Sequence, residues 1–93
     1  METEEKVNEL AEHLEQQLMS LHQSPLLTGE ALMRSLGYRS VEAFRQAISR
    51  QTVPVKIFSI ENRRGRFALV KDIAFWLATQ SVKNEYQTTK GVT

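Results

Sequence analysis

The amino-acid sequence predicts a mainly α-helical domain that carries a small β-hairpin and is preceded by an amphipathic N-terminal helix. Three observations support this fold class. From Val7 to Ile48 apolar residues recur three and four positions apart, the repeat of one helical face. After Pro54 the pattern changes to alternation with a period of two, which belongs to a strand. Between these runs stand Ser24-Pro25, Gly37, Ser40 and the run Glu61 to Gly65, residue types that stop, cap or turn a chain. The 93 residues suit one domain able to bury a core without covalent staples.

The first helix is expected over residues 3–23. Val7, Ala11, Leu14, Leu18 and Leu21 lie alternately four and three apart, a short apolar seam of coiled-coil type that Leu10 broadens. Such a seam leaves two partners open: the body of its own domain, or the same helix of a second chain in a homodimer. Ser24-Pro25 ends the helix, because the residue before a proline avoids the α region.

Leu26-Leu27-Thr28 leads into a second helix. Thr28 is the expected N-cap, Glu30 sits where the helix dipole favours acids, and Ala31, Leu32 and Leu36 supply the buried face. Gly37 falls where helices end in the left-handed conformation. Tyr38-Arg39 then links to Ser40, a second N-cap, and a third helix is expected over Val41 to Arg50. Val41, Phe44, Ala47 and Ile48 form its inner face; Glu42, Arg45, Gln46 and Ser49 form its outer one.

The hairpin follows. Val55, Ile57 and Ser59 alternate with Lys56, Phe58 and Ile60, and Arg66 to Val70 reads as the returning strand. Its tip holds Asn62, Arg63 and Arg64. Because an isolated hairpin is marginal in water, it must lean on the helices. Ile73, Ala74, Trp76 and Leu77 mark a final helix over about Lys71 to Gln80, with Phe75, Trp76 and Phe44 expected in the core. The chain therefore divides into an N-terminal helix (1–24), a body (25–80) and a flexible tail (81–93), and removing residues 1–24 is expected to leave a folded domain.

Charge is distributed unevenly. Residues 1–24 carry six acids against Lys6, a balance of −5, whereas residues 25–93 carry eleven bases and five acids, a balance of +6; together these give the net +1. A basic body suggests a polyanionic partner. No stretch approaches the roughly 20 apolar residues that a membrane crossing needs, so no membrane partner is expected. The acidic start METEE does not read as a signal peptide. The chain contains no cysteine, which excludes disulfides, cysteine-based zinc sites and thiol catalysis. These features point to the cytoplasm, and with a DNA partner to the nucleoid.

Two short helices joined by a glycine-containing turn match the helix-turn-helix, whose second helix enters the DNA major groove. A reading helix needs an apolar back for docking and a front of long or amide side chains, and Val41 to Arg50 has that split. Arg45 suits guanine, since its planar fork can bond O6 and N7 together; Gln46 suits adenine, Ser49 can serve several bases, and Glu42 can accept from cytosine. Arg50 completes the set at the far end. Arg39 and Ser40 stand where a helix N-terminus favours phosphate. Asn62, Arg63, Arg64 and Arg66 crowd the hairpin tip, where they can follow the phosphate backbone or enter the minor groove. A solvated helix face and a charged turn would show the same residue types. With this hairpin as its wing, the expected architecture is a winged helix-turn-helix preceded by an amphipathic helix.

The segments LLTGEALMRSLGYRSVEAFRQAI and TVPVKIFSIENRRGRFALVKDIAFWLA resemble the excisionase and AlpA-type phage regulators, a small winged branch related to the MerR-type DNA-binding domain. The resemblance covers about residues 26–79. It rests on an opening hydrophobic-Thr, a helix, a Gly, a second helix, a Pro, a hairpin and a last helix with Asp72 and Trp76. It implies that Val41 to Arg50 is the recognition helix and Asn62 to Arg66 the wing. It also implies a transcriptional regulator or an architectural factor that bends double-stranded DNA for recombination. Two departures stand out: Phe67 sits earlier than the family's aromatic, and residues 1–24 have no counterpart in the minimal family domain.

Other residues do not assemble a reaction centre. His13 and His22 are nine positions apart, on roughly opposed faces, so they do not converge on a metal. Ser20 and Ser24 lack an ordered base, and the four glycines are too scattered for a phosphate loop. Neither an enzyme nor a cofactor is expected. The alternative to DNA binding is a protein-interaction module that grips a partner with the amphipathic first helix.

Overall fold

The structure is a computed structural model and describes residues 2–83. It consists of α1 (Glu2–His22), β1 (Leu26–Thr28), α2 (Gly29–Ser35), α3 (Val41–Arg50), β2 (Phe67–Leu69) and α4 (Val70–Lys83). The domain is mainly helical, with one two-stranded antiparallel sheet. Among the described residues no helix is long and apolar enough to cross a membrane.

The core forms where α2, α3, the sheet and α4 meet. Leu32 of α2 and Val70 and Ile73 of α4 are wholly enclosed, and Leu27, Met33, Leu36, Phe44 and Ala68 complete the cluster. Burying each large aliphatic side chain contributes about 1.5–3 kcal/mol relative to leaving it in water. Val53, Val55 and Ile57 lean on this cluster from the long connection after α3.

α1 lies along α4 within the same chain. Its seam residues Val7, Leu10, Ala11, Leu14 and Leu18 are half-buried, and Leu18 packs on the core. Leu21, at the far end of the seam, remains 75% exposed.

The sheet departs from the expected hairpin. β2 pairs with β1, in the register Leu26↔Leu69, Leu27↔Ala68 and Thr28↔Phe67. The Val70 N–H donating to the Pro25 carbonyl at 2.8 Å carries the ladder one step further. Residues 55–60 form no strand; they meet β2 through a single bridge, in which Phe58 and Phe67 exchange hydrogen bonds of 2.9 and 2.8 Å. The reason is the length of β2. The chain turns into α4 at Val70, so the returning strand has three residues, and its ladder is shared with β1. The expected alternation holds only over residues 55–57, where Val55 and Ile57 are half-buried and Lys56 is exposed; its phase then reverses, with Phe58 and Ile60 half-buried and Ser59 exposed.

Three smaller expectations also change. Val41 is 56% exposed rather than inward, because it occupies the first position of α3, beyond the reach of the core. Phe75 is 52% exposed, on the side of α4 away from Ile73 and Ala74. α4 extends through Lys83, into the stretch read as the start of the tail, and residues 84–93 of that tail lie outside the described residues.

Candidate nucleic-acid interface

The link between α2 and α3 is built from local signals. Beyond Ser35, Gly37 takes a φ of +88°, a conformation that glycine reaches without a side-chain penalty. Its N–H donates to the Arg34 carbonyl at 3.0 Å and the Tyr38 N–H to the Met33 carbonyl at 3.1 Å, the paired bonds of a Schellman ending. Tyr38 then lies against Phe44, with ring centroids 5.3 Å apart at 42°, tying the turn to the back of α3. Ser40 caps α3 as expected, its Oγ accepting from the Ala43 N–H at 3.1 Å.

This arrangement sets the orientation of α3. Phe44 and Ala47 are buried, whereas Glu42, Arg45, Gln46, Ser49 and Arg50 are all exposed along the opposite side, with Arg39 and Ser40 exposed at the N-terminal end. The predicted α3 residues thus share one solvent-facing strip.

The second set sits on the loop before β2. Arg63 donates its N–H to the Ile60 carbonyl at 3.0 Å, closing a turn in which Asn62 takes a φ of +64°. Asn62, Arg63, Arg64 and Arg66 are exposed. Two ties hold the loop at its base. One is the Phe58–Phe67 bridge, whose rings lie 6.2 Å apart. The other is Thr28, whose hydroxyl donates to the Arg66 carbonyl at 2.6 Å.

That second tie corrects the sequence reading. Thr28 occupies the N-cap position of α2 with extended backbone angles, but its side chain makes no capping bond. It fastens the arginine loop to the start of α2 instead. Gly65 (φ +99°) sits so close that a Cβ there would lie 3.3 Å from Thr28 Oγ1. No sequence signal announces this contact, since Thr28 and Arg66 are 38 positions apart.

The electrostatics of the two sets are alike. Among the described residues Arg39, Arg45, Arg50, Arg63, Arg64 and Arg66 make no ion pair and no side-chain hydrogen bond within the chain. Arg34, by contrast, pairs with Glu30 at 3.1 Å one turn away on α2. Six exposed guanidiniums without an intramolecular partner offer bidentate donors to phosphate or to guanine.

The histidines stand apart from this surface. His13 Nε2 lies 3.4 Å from Gln17 Nε2 on α1. Among the described residues no group of three or more His, Asp or Glu side chains is placed to hold a metal ion. Comparison with protein-family models, with curated proteins and with solved structures finds no match to this chain.

Proposed function

We propose that this chain is a sequence-specific double-stranded DNA-binding protein with a winged helix-turn-helix body, acting by binding rather than by catalysis. α2 and α3 form the helix-turn-helix, α3 reads base edges in the major groove, and the loop over Asn62 to Arg66 is the wing. The observation that carries this reading is the set of six intramolecularly unpaired arginines, divided between the polar strip of α3 and the tethered loop. In the proposed complex Arg45 and Gln46 select bases, with Glu42 and Ser49 beside them. Arg39, Ser40, Arg50 and the loop residues fix register on the backbone. A regulator or excisionase-like architectural role of phage or mobile-element type, at the nucleoid, is what the sequence resemblance adds.

The test is retention of duplexes from a random-sequence DNA pool at low and at physiological salt, followed by sequencing of the bound fraction. Neutralising one phosphate lowers the log–log salt slope by about 0.9, so backbone contacts from four or five arginines predict a slope of roughly −4. An enriched motif with such a slope supports the reading. No retention at low salt refutes it.

A further inference from the structure

An open groove of about 610 Å³ runs between α1, the segment 54–56 and α4, and the DNA reading makes no use of it. Ala11, Pro54, Val55, Phe75 and Trp76 give it an apolar lining. Phe75 is 52% exposed there, an aromatic ring that the chain's own core leaves uncovered. Charges of both signs line the same groove, and they come from different elements. α1 contributes Glu12 and Glu15, the segment 54–56 contributes Lys56, and the start of α4 contributes Lys71 and Asp72. Among the described residues none of these five groups makes an ion pair or a side-chain hydrogen bond within the chain.

We propose that a second copy of this chain covers the groove, related to the first by a two-fold axis passing close to Phe75. A two-fold contact requires a surface complementary to itself. This groove meets the requirement because Glu12 and Glu15 lie on α1 while Lys56 and Lys71 lie on the other two elements, Asp72 beside Lys71 being its one acid outside α1. Rotation about the axis sets Glu12 and Glu15 of each copy over Lys56 and Lys71 of the other, so the attraction occurs twice. The two Phe75 rings meet at the centre, where an aromatic anchor contributes most. Asp72 tempers Lys71, which makes Lys56 the principal partner of the α1 acids. The contact uses the solvent side of α1 and the edge of its seam at Ala11, whereas most of the seam is turned to its own domain.

The stretch of α1 that lines the groove, Asn8 to Glu15, spans about 12 Å, so the contact is short and the pairing weak. The dimer is therefore concentration-dependent, and added salt weakens it by screening its exposed charges. None of this rests on the DNA reading.

Sedimentation equilibrium of the full chain without DNA tests the proposal, with helix content checked by circular dichroism. The wild-type mass should rise with concentration from 10.7 kDa toward twice that value. Phe75→Asp, the acid-reversed Glu12→Lys/Glu15→Lys and the base-reversed Lys56→Glu/Lys71→Glu variants should each stay at the monomer mass. An equimolar mixture of the two reversed variants should dimerise again, because each supplies the sign that the other lacks; only folded chains can do so. A wild type that remains monomeric throughout, reversed variants that dimerise as the wild type does, or a mixture that stays monomeric would each overturn it.

Discussion

Gly65→Ala places one methyl group at the base of the arginine loop, and its effect follows from two features of that position. The backbone φ of +99° is one that residues with a Cβ rarely adopt, and holding alanine there costs about 1–3 kcal/mol. The added Cβ would also stand 3.3 Å from Thr28 Oγ1. That oxygen is held by its 2.6 Å bond to the Arg66 carbonyl, so the hydroxyl must give way and the bond weakens by about 1 kcal/mol. Together these amount to about 2–4 kcal/mol. At 4–8 °C per kcal/mol for a domain of this size, the melting temperature should fall by roughly 10–30 °C.

A double-mutant cycle separates the two contributions. In a Thr28→Ala background the hydroxyl is absent, so Gly65→Ala should there cost only its backbone strain. The double variant should be less destabilised than the sum of the singles by about 1 kcal/mol. Thermal melts of the free protein, followed by circular dichroism, measure all four corners of the cycle without DNA. If Gly65→Ala melts within a few degrees of wild type, the positive φ is not enforced by the fold. If the two substitutions are additive, Thr28 and Gly65 do not share the contact described.

The remaining predictions are simpler. Ser40→Ala removes the Oγ acceptor of the Ala43 N–H and should destabilise the domain by about 1 kcal/mol, read as a lower urea midpoint at unchanged slope. Arg45→Ala should relax base preference at one position by about 1–3 kcal/mol in a selection from random duplexes. Arg63→Ala should instead weaken binding alike for all sequences and reduce the salt slope by about 1. Deleting residues 1–24 uncovers α4 along the face that α1 occupies, so the truncated chain should lose its cooperative melt. A sharp transition near the wild-type temperature would show that the body stands alone, as the sequence on its own suggests.

What could be read without the structure divides by range. The end of α2 and the start of α3 were legible because their determinants lie within a few residues of each other. Gly37 frees the backbone for the bonds to Met33 and Arg34, and Ser40 reaches Ala43 three positions on. The sheet was not legible. Leu26-Leu27-Thr28 is too short to display alternation, and its partner, Phe67 to Leu69, lies about forty positions away. The run Val55 to Ile60 illustrates the converse. Alternating hydrophobicity places Val55 and Ile57 inward, but Phe58 and Ile60 are half-buried as well, and the pattern says nothing about which backbone supplies the hydrogen bonds. The α3 strip was legible for the same local reason as its cap, whereas the tether from Thr28 to the loop was a matter of topology.

The partner of α1 is the case where more was written in the sequence than its own seam reveals. That seam shows only that something apolar must cover it. The deciding information lies in α4, whose apolar residues Val70, Ile73, Ala74, Trp76, Leu77 and Ala78 cover more of the helix circumference than one neighbour can bury. A helix with so wide an apolar surface needs the core on one side and a second element on the other, and α1 is the element available. With α1 lying along α4, most of its seam is half-covered within the chain, and Leu21 is left exposed. The proposed pairing instead uses what both helices leave outward: Phe75, beside the unpaired charges of Glu12, Glu15 and Lys56.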